Sequence, residues 1–320
     1  MSEQADNSKP NPGVETRTEL SPPRDRSPWV ERISQVRSDF KEALAQHVAD
    51  HFVKYGMVIY MGPGTTNIRV AERIFRSQKV SKDPLDLVIL TNNMGIFLDA
   101  SRLAKEKPEL FGTTQIISTG GTYQPSINSV VGPFVAAAID SHFLSPHLVL
   151  MGAAGLSFDP ADCRLAYHFV EELESQQALA TVKTEERVLI CDHAKLLSSA
   201  RWKGPTIVDL LRNTSRCTII TSCPDESSPQ REKELFAEAI RSFVKLLDHI
   251  ATHEKALIAK SELRLRIIGK QSANVVAELC SAECPEGPED TLRAVGCLPA
   301  SPSAARRRTL RVVHKNSADR

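Results

Sequence analysis

What this chain does not contain narrows its class. No window of the 320 residues approaches ~18 uninterrupted apolar positions, so no membrane-spanning helix and no membrane partner are expected. The N-terminus lacks the basic-then-apolar order of a secretory leader, which points to a cytoplasmic location. The seven cysteines, Cys163, Cys191, Cys217, Cys223, Cys280, Cys284 and Cys297, are odd in number and form no C-x-x-C pair. Neither a disulfide framework nor a common zinc ribbon is indicated. An excess of one charge is also missing: forty basic against thirty-nine acidic residues leave a net +1, which argues against a chain-wide surface for a polyanion. What remains, at 41% hydrophobic and 25% charged, is the composition of a soluble globular protein. One main domain of about 200 residues with appendages is the expectation from length.

Residues 1–28 are rich in Pro, Ser, Asn and charge, and hold too few large apolar groups to offset the entropy of ordering. They read as a disordered tail. From Trp29, the residues Val30, Ile33, Val36, Phe40, Leu44, Val48 and Phe52 recur every three or four positions, the spacing of an amphipathic helix closed by a C-cap at Gly56. Beyond it, short β-rich runs over 58–61, 87–90, 115–118, 148–151, 188–191 and 217–220 alternate with helical stretches. The fold class that follows is α/β: a mostly parallel, Rossmann-like sheet with helices on both faces. Residues 29–226 form the domain and 227–267 a helical extension with Leu235, Phe236, Ile240, Phe243, Val244, Leu247 and Ile250 on one side. That stripe packs back on the domain or pairs with a second copy; packing back shields it within one molecule. Residues 268–320, with the run Arg306-Arg307-Arg308, read as a second disordered tail, with a weak nucleic-acid or phosphate contact as the sharper alternative.

Ligands of such sheets sit beyond the carboxyl ends of the strands, so the residues just after each strand are the informative ones. They are Gly62-Pro63-Gly64-Thr65-Thr66-Asn67, Thr91-Asn92-Asn93, Thr119-Gly120-Gly121-Thr122, Gly152-Ala153-Ala154-Gly155 and Asp192-His193-Ala194-Lys195. Small turns, hydroxyls and one lysine converging on a crevice suit a small phosphorylated or polyhydroxylated ligand. In the first turn, Gly64 lets the backbone approach the ligand, and the amides of Thr65, Thr66 and Asn67 in the first helical turn face an anion together with the helix dipole. The alternative is that Thr65 or Thr66 is only the helix N-cap. His47 with His51, and His249 with His253, sit four apart on expected helices and each pair could face one metal ion. A third ligand is not evident, so no metal and no cofactor are expected.

The order of "GTT" (64–66), "LTNN" (90–93), "STGGT" (118–122) followed by "VVGPFVAAAI", "LVLMGAAGLS" (148–157) and "VLICDHAK" (188–195) resembles the C-terminal sensor domain of DeoR-type transcriptional repressors. That domain belongs to the fold superfamily of ribose-5-phosphate isomerase, glucosamine-6-phosphate deaminase and CoA transferases. The resemblance spans roughly residues 30–222 and implies a sensor of phosphorylated sugars or related small metabolites. It implies a site made of Gly64, Thr65, Thr66, Asn67, Thr91, Asn92, Gly120, Gly121, Thr122, Gly152, Gly155 and Lys195. Self-association is open.

Three departures bear on function. Gly62-Pro63-Gly64 stands where the family has Asp-Ser-Gly, Ala154 where it has Asp, and Thr221-Ser222 where it has Thr-Asp. Losing carboxylates beside a sugar removes hydroxyl acceptors and candidate general bases, which favours binding over catalysis. A sugar-phosphate isomerase or deaminase drawing its base from Asp192, His193 and Lys195 is the alternative. The family's N-terminal helix-turn-helix has no counterpart before the first helix, so sequence-specific DNA binding by this chain is not expected.

Overall fold

Helix α1 (Ser38–Phe52) carries Phe40, Leu44, Val48 and Phe52 on one face, and all four are buried. In the computed structural model, residues 38–77, 85–108, 114–141, 145–198, 200–269, 274–281, 288–295 and 297 are described. The first turns of the expected helix, at 29–37, and both expected disordered tails apart from 268–269, 274–281, 288–295 and 297 lie outside them.

After α1 come β1 (Val58–Met61), α2 (Thr65–Ser77), β2 (Val88–Thr91), α3 (Met94–Glu106) and β3 (Gln115–Ser118). The hairpin β4 (Thr122–Gln124) and β5 (Ser129–Val131) leads into α4 (Pro133–Asp140) and β6 (Leu148–Gly152). Next are β7 (Gly155–Leu156), β8 (Arg164–Tyr167), α5 (Leu173–Thr181), β9 (Thr184–Ile190), β10 (Trp202–Thr206), α6 (Ile207–Leu211) and β11 (Thr214–Ser222). The last elements are α7 (Gln230–His253), α8 (Lys255–Ile258), β12 (Glu262–Ile268), β13 (Val275–Cys280) and α9 (Pro288–Ala294).

The main sheet has the order β13-β12-β11-β9-β6-β1-β2-β3. Every pairing in it is parallel except that of β13 with β12. The fold is thus α/β with a mostly parallel sheet between helices. Alternate strand residues feed two cores: Ile59, Met61, Leu148, Leu150, Val188 and Ile190 face α1, α2 and α3. Tyr60, Val149, Met151, Leu189, Ile219 and Leu265 face the opposite layer, which includes α5 and α7. At ~1.5–3 kcal/mol for each fully buried aliphatic side chain, these two faces rather than helix propensity hold the layers. The chain runs from β1 outward to β2 and β3, then returns to β6 and leaves the other way through β9 and β11. β1 and β6 therefore flank the point where strand order reverses, the position where such sheets open a crevice.

Three local expectations are corrected. Gly56 does have a left-handed φ of 70°, yet α1 has already ended at Phe52. Gly56 serves the turn into β1 instead, its N–H donating to the Leu85 carbonyl at 2.9 Å. The helical reading of 227–267 holds only to Ile258, because Glu262–Ile268 is β12, paired along its length with β11. Leu263, Leu265 and Ile267 point into the core under α7, while on the opposite face Arg264 and Arg266 bond Glu262 and Glu278 and Arg266 lies over the Phe52 ring of α1. β9 also begins four residues before the expected 188, because Arg187 lies fully buried inside it. Its guanidinium donates to the carbonyls of Val182, at 2.6 Å, and Leu210, which sit at the ends of α5 and α6. Burial lowers this guanidinium's pKa to about 10, so it stays charged at neutral pH.

Candidate functional site

The turn after β1 is built backbone against backbone. Gly62 donates its N–H to the Leu150 carbonyl of β6 at 2.9 Å, and a Cβ on Gly62 would stand 3.2 Å from that oxygen. Gly64 has φ 123°, which only glycine adopts without strain, and nothing lies within 4 Å of where its Cβ would be. The space beside Gly64 is open. The Gly64 carbonyl accepts the first helical bond, from Ile68 N at 3.3 Å, so Gly64 is the N-cap and Thr65, Thr66 and Asn67 are the first three helical residues. Neither threonine is at the cap position. Their amides have no carbonyl one turn back, and no acidic residue occupies the first turn of α2.

Asn67 and Thr91 hold the turn in shape. The buried Asn67 amide donates to the Gly62 carbonyl at 3.0 Å, and Thr91 Oγ1 donates to the Met61 carbonyl at 2.6 Å while accepting Asn93 N at 3.0 Å. Asn92 looks the other way. Its Oδ1 accepts the Tyr60 hydroxyl at 3.1 Å, and its Nδ2 donates to the Val130 carbonyl at 3.0 Å, pinning the β4–β5 hairpin. Burial raises the Tyr60 hydroxyl's pKa, keeping it a donor. The residue that joins two turns is Asn93, which was not among the expected site residues. Its Nδ2 donates to the carbonyls of Gly64 at 3.2 Å and Gly62 at 3.4 Å, and its Oδ1 caps α3 by accepting Gly95 N at 3.1 Å. An asparagine directly before a helical run is an N-cap signal, legible as such.

The turn after β3 is exposed at Gly120, Gly121 and Thr122. Gly120 and Gly121 both have positive φ, 69° and 126°, and a Cβ on Gly121 would sit 2.8 Å from the Val131 carbonyl oxygen. On the other side of β1, Gly152 ends β6 and a Cβ there would stand 3.2 Å from the Pro63 carbonyl oxygen. Gly155 begins β7, where a Cβ would meet the Ser198 carbonyl oxygen at 2.3 Å, so the 192–198 segment lies directly on this glycine. That segment carries Lys195 at the end of a 3-10 turn, His193–Lys195, whose N-cap Asp192 accepts Ala194 N at 3.2 Å. Leu197 N then donates to the Leu156 carbonyl at 2.8 Å, with Leu197 itself at φ 58°, a conformation uncommon for a residue with a side chain. The His193 ring is fully buried, and Asp192 is committed to its cap.

The expected residues thus stand on the ends of β1, β2, β3, β6 and β9, five neighbouring parallel strands. The histidine pairs do something else: His47 stacks on His51 and His249 on His253, each at 4.3 Å between ring centroids. The second ring of each pair bonds the first residue's backbone carbonyl through Nδ1 at 2.9 Å. Among the described residues no group of three His, Cys, Asp or Glu is placed to hold a metal, and no helix is long and apolar enough to cross a membrane.

The strand ends around the reversal point of this parallel sheet thus carry glycine turns, a helix start without a side-chain cap and one lysine, at the end where α/β sheets of this topology place their ligands. The chain belongs to the DeoR C-terminal sensor domain family, whose model matches residues 37–210. The match ends within α6, so β11, α7, β12 and β13 lie beyond it. Among solved structures, ribose 5-phosphate isomerase from Plasmodium falciparum is similar at 18% identity and a TM-score of 0.33, covering 49% of this chain and 52% of that one. The eIF2B delta subunit from Chaetomium thermophilum is similar at 10% identity and a TM-score of 0.34, covering 55% of this chain and 54% of that one. The chain therefore spans about half the length of these structures. No curated protein matches.

Proposed function

We propose that this domain is a non-catalytic sensor that binds a phosphorylated sugar, or a related small phosphorylated metabolite, at the start of α2. The observation that carries the reading is the helix start itself: Gly64 opens onto free space, and the amides of Thr65, Thr66 and Asn67 have no helical acceptors. A phosphate there gains those donors, the Thr65 and Thr66 hydroxyls and the helix dipole, with Lys195 contributing the full positive charge. The sugar portion extends toward the Gly120-Gly121-Thr122 turn and the Gly152–Gly155 turn. Family membership supports a sensor. Binding is favoured over turnover because Asp192 serves as the N-cap of the 193–195 turn and the His193 ring is fully buried.

A thermal-shift panel of ribose 5-phosphate, glucosamine 6-phosphate and fructose phosphates tests the reading. A ligand at ~100 times its dissociation constant adds about 2.7 kcal/mol of stability and raises the melting temperature. Stabilisation by a sugar phosphate and not by the matching free sugar is the expected outcome. No shift with any of them contradicts the proposal, and product formation in a coupled assay would make the domain an isomerase or deaminase instead.

A further inference from the structure

Ser222, the last residue of β11, faces the segment that bears Lys195. His193 N donates to Ser222 Oγ at 3.2 Å, and His193 Nδ1 lies 2.7 Å from the same oxygen. On the far side of the ring, Nε2 lies 2.5 Å from Glu232 Oε1, in the first turn of α7. The His193 side chain is 0% exposed and Glu232 is 16% exposed. The rings of Phe40 and Phe236 meet the imidazole edge-on at 4.9 and 6.2 Å. One proton arrangement satisfies all of these contacts with a neutral ring: Nε2–H donates to Glu232, and Nδ1 accepts the Ser222 hydroxyl proton, leaving Ser222 Oγ to accept the backbone N–H.

This cluster fixes one end of a short segment whose other end is fixed as well. Leu197 N bonds the Leu156 carbonyl, and Leu196 bridges to Leu156, so Lys195 lies between two anchors two residues to either side. The first anchor reaches outside the family match, since Glu232 belongs to α7. That helix is itself immobilised by a buried face including Phe236, Ile240, Phe243 and Leu247.

We infer that Glu232, acting through His193, is a positioning residue for the ligand site: α7 holds the Lys195 turn in its ligand-ready geometry through the Glu232–His193–Ser222 chain. This rests on the phosphate-binding reading above. The helix after the sensor core is then part of the binding unit.

The experiment is a double-mutant cycle read by calorimetric titration of the full chain with ribose 5-phosphate, using Glu232→Ala, Lys195→Met and the double variant. If Glu232 works by placing Lys195, its loss weakens binding at least ~5-fold in the wild-type background and less than ~2-fold once Lys195 is gone, because coupled residues are non-additive. Glu232→Gln, whose amide oxygen still accepts from Nε2–H, restores most of the affinity. Ser222→Ala, a smaller change from the opposite side of the ring, shows the same non-additivity and guards against a folding defect in the helix variant. Equal losses in both backgrounds, or no loss from Glu232→Ala while Lys195→Met weakens binding, overturn the positioning role and leave the site intact. Absence of binding by the wild-type chain overturns the site itself, and the positioning role with it.

Discussion

The side-chain amide of Asn93 donates to the backbone carbonyl of Gly64 at 3.2 Å, across the gap between the ends of β2 and β1. The same side chain caps α3, so one asparagine sets the mouth of the proposed site and starts a helix. Asn93→Ala removes both functions. The cap alone is worth ~1 kcal/mol, and the bonds to Gly62 and Gly64 add to it, so urea unfolding should show a loss of about 1–2 kcal/mol together with weaker sugar-phosphate binding. Asn93→Asp keeps the cap but loses the donor. It should retain stability better than affinity, and a variant that loses both equally would show that the Gly64 contact does not shape the site.

Gly155→Ala tests the seat of the Lys195 segment. Its Cβ would fall 2.3 Å from the Ser198 backbone oxygen, and backbone cannot swing aside as a flexible side chain does. Overpacking of this kind costs ~1–3 kcal/mol, and the displaced segment carries Lys195 with it. A lowered melting temperature accompanied by reduced ribose 5-phosphate affinity is expected; an unchanged affinity would separate Gly155 from the site.

Arg187→Met tests the buried cation of β9. Methionine fills much of the volume but leaves the carbonyls of Val182 and Leu210 without their donor. An unsatisfied buried acceptor costs ~1–3 kcal/mol, so the urea midpoint should fall clearly, with binding at the opposite, carboxyl end of the strands preserved. An unchanged midpoint would mean that the guanidinium contributes nothing beyond its own desolvation.

Much of this was legible along the chain, and the misses have physical causes. Val58–Met61 and Leu148–Met151 read as buried parallel strands because both faces of the sheet are covered, which makes the runs continuously apolar. The same logic failed at Arg187, where two helix-end carbonyls satisfy a charge that breaks the run. In β12 the signal is present in the sequence: Leu263-Arg264-Leu265-Arg266-Ile267 alternates with period two, the pattern of a half-buried strand, although it follows directly on a charged helix. The strand-end glycines were legible as turns. The different duties of Asn92 and Asn93 could not be read from sequence, since each depends on a carbonyl about thirty or more residues away. Nor could the Glu232–His193 contact, which joins residues separated by 39 positions.

Duplex DNA provides a further test. With a net charge of only +1, the chain should show no sequence-selective duplex binding in a gel-shift at physiological salt. Nanomolar, sequence-dependent retardation would contradict this, and removing the Arg306-Arg307-Arg308 run would then show whether that run was responsible.

The most direct measurement is calorimetric titration of ribose 5-phosphate into the wild-type chain, Thr66→Val and Lys195→Met, with the melting temperature of each apo protein taken alongside. Thr66 is the second helical residue and not the cap, so its hydroxyl is not needed to start α2. The expected result is saturable binding by the wild type and at least a ~10-fold loss in each variant, equivalent to about 1.4 kcal/mol, with apo melting temperatures nearly unchanged. Unchanged affinity in both variants would contradict phosphate binding at this helix start and leave Gly62–Asn67 as a structural turn.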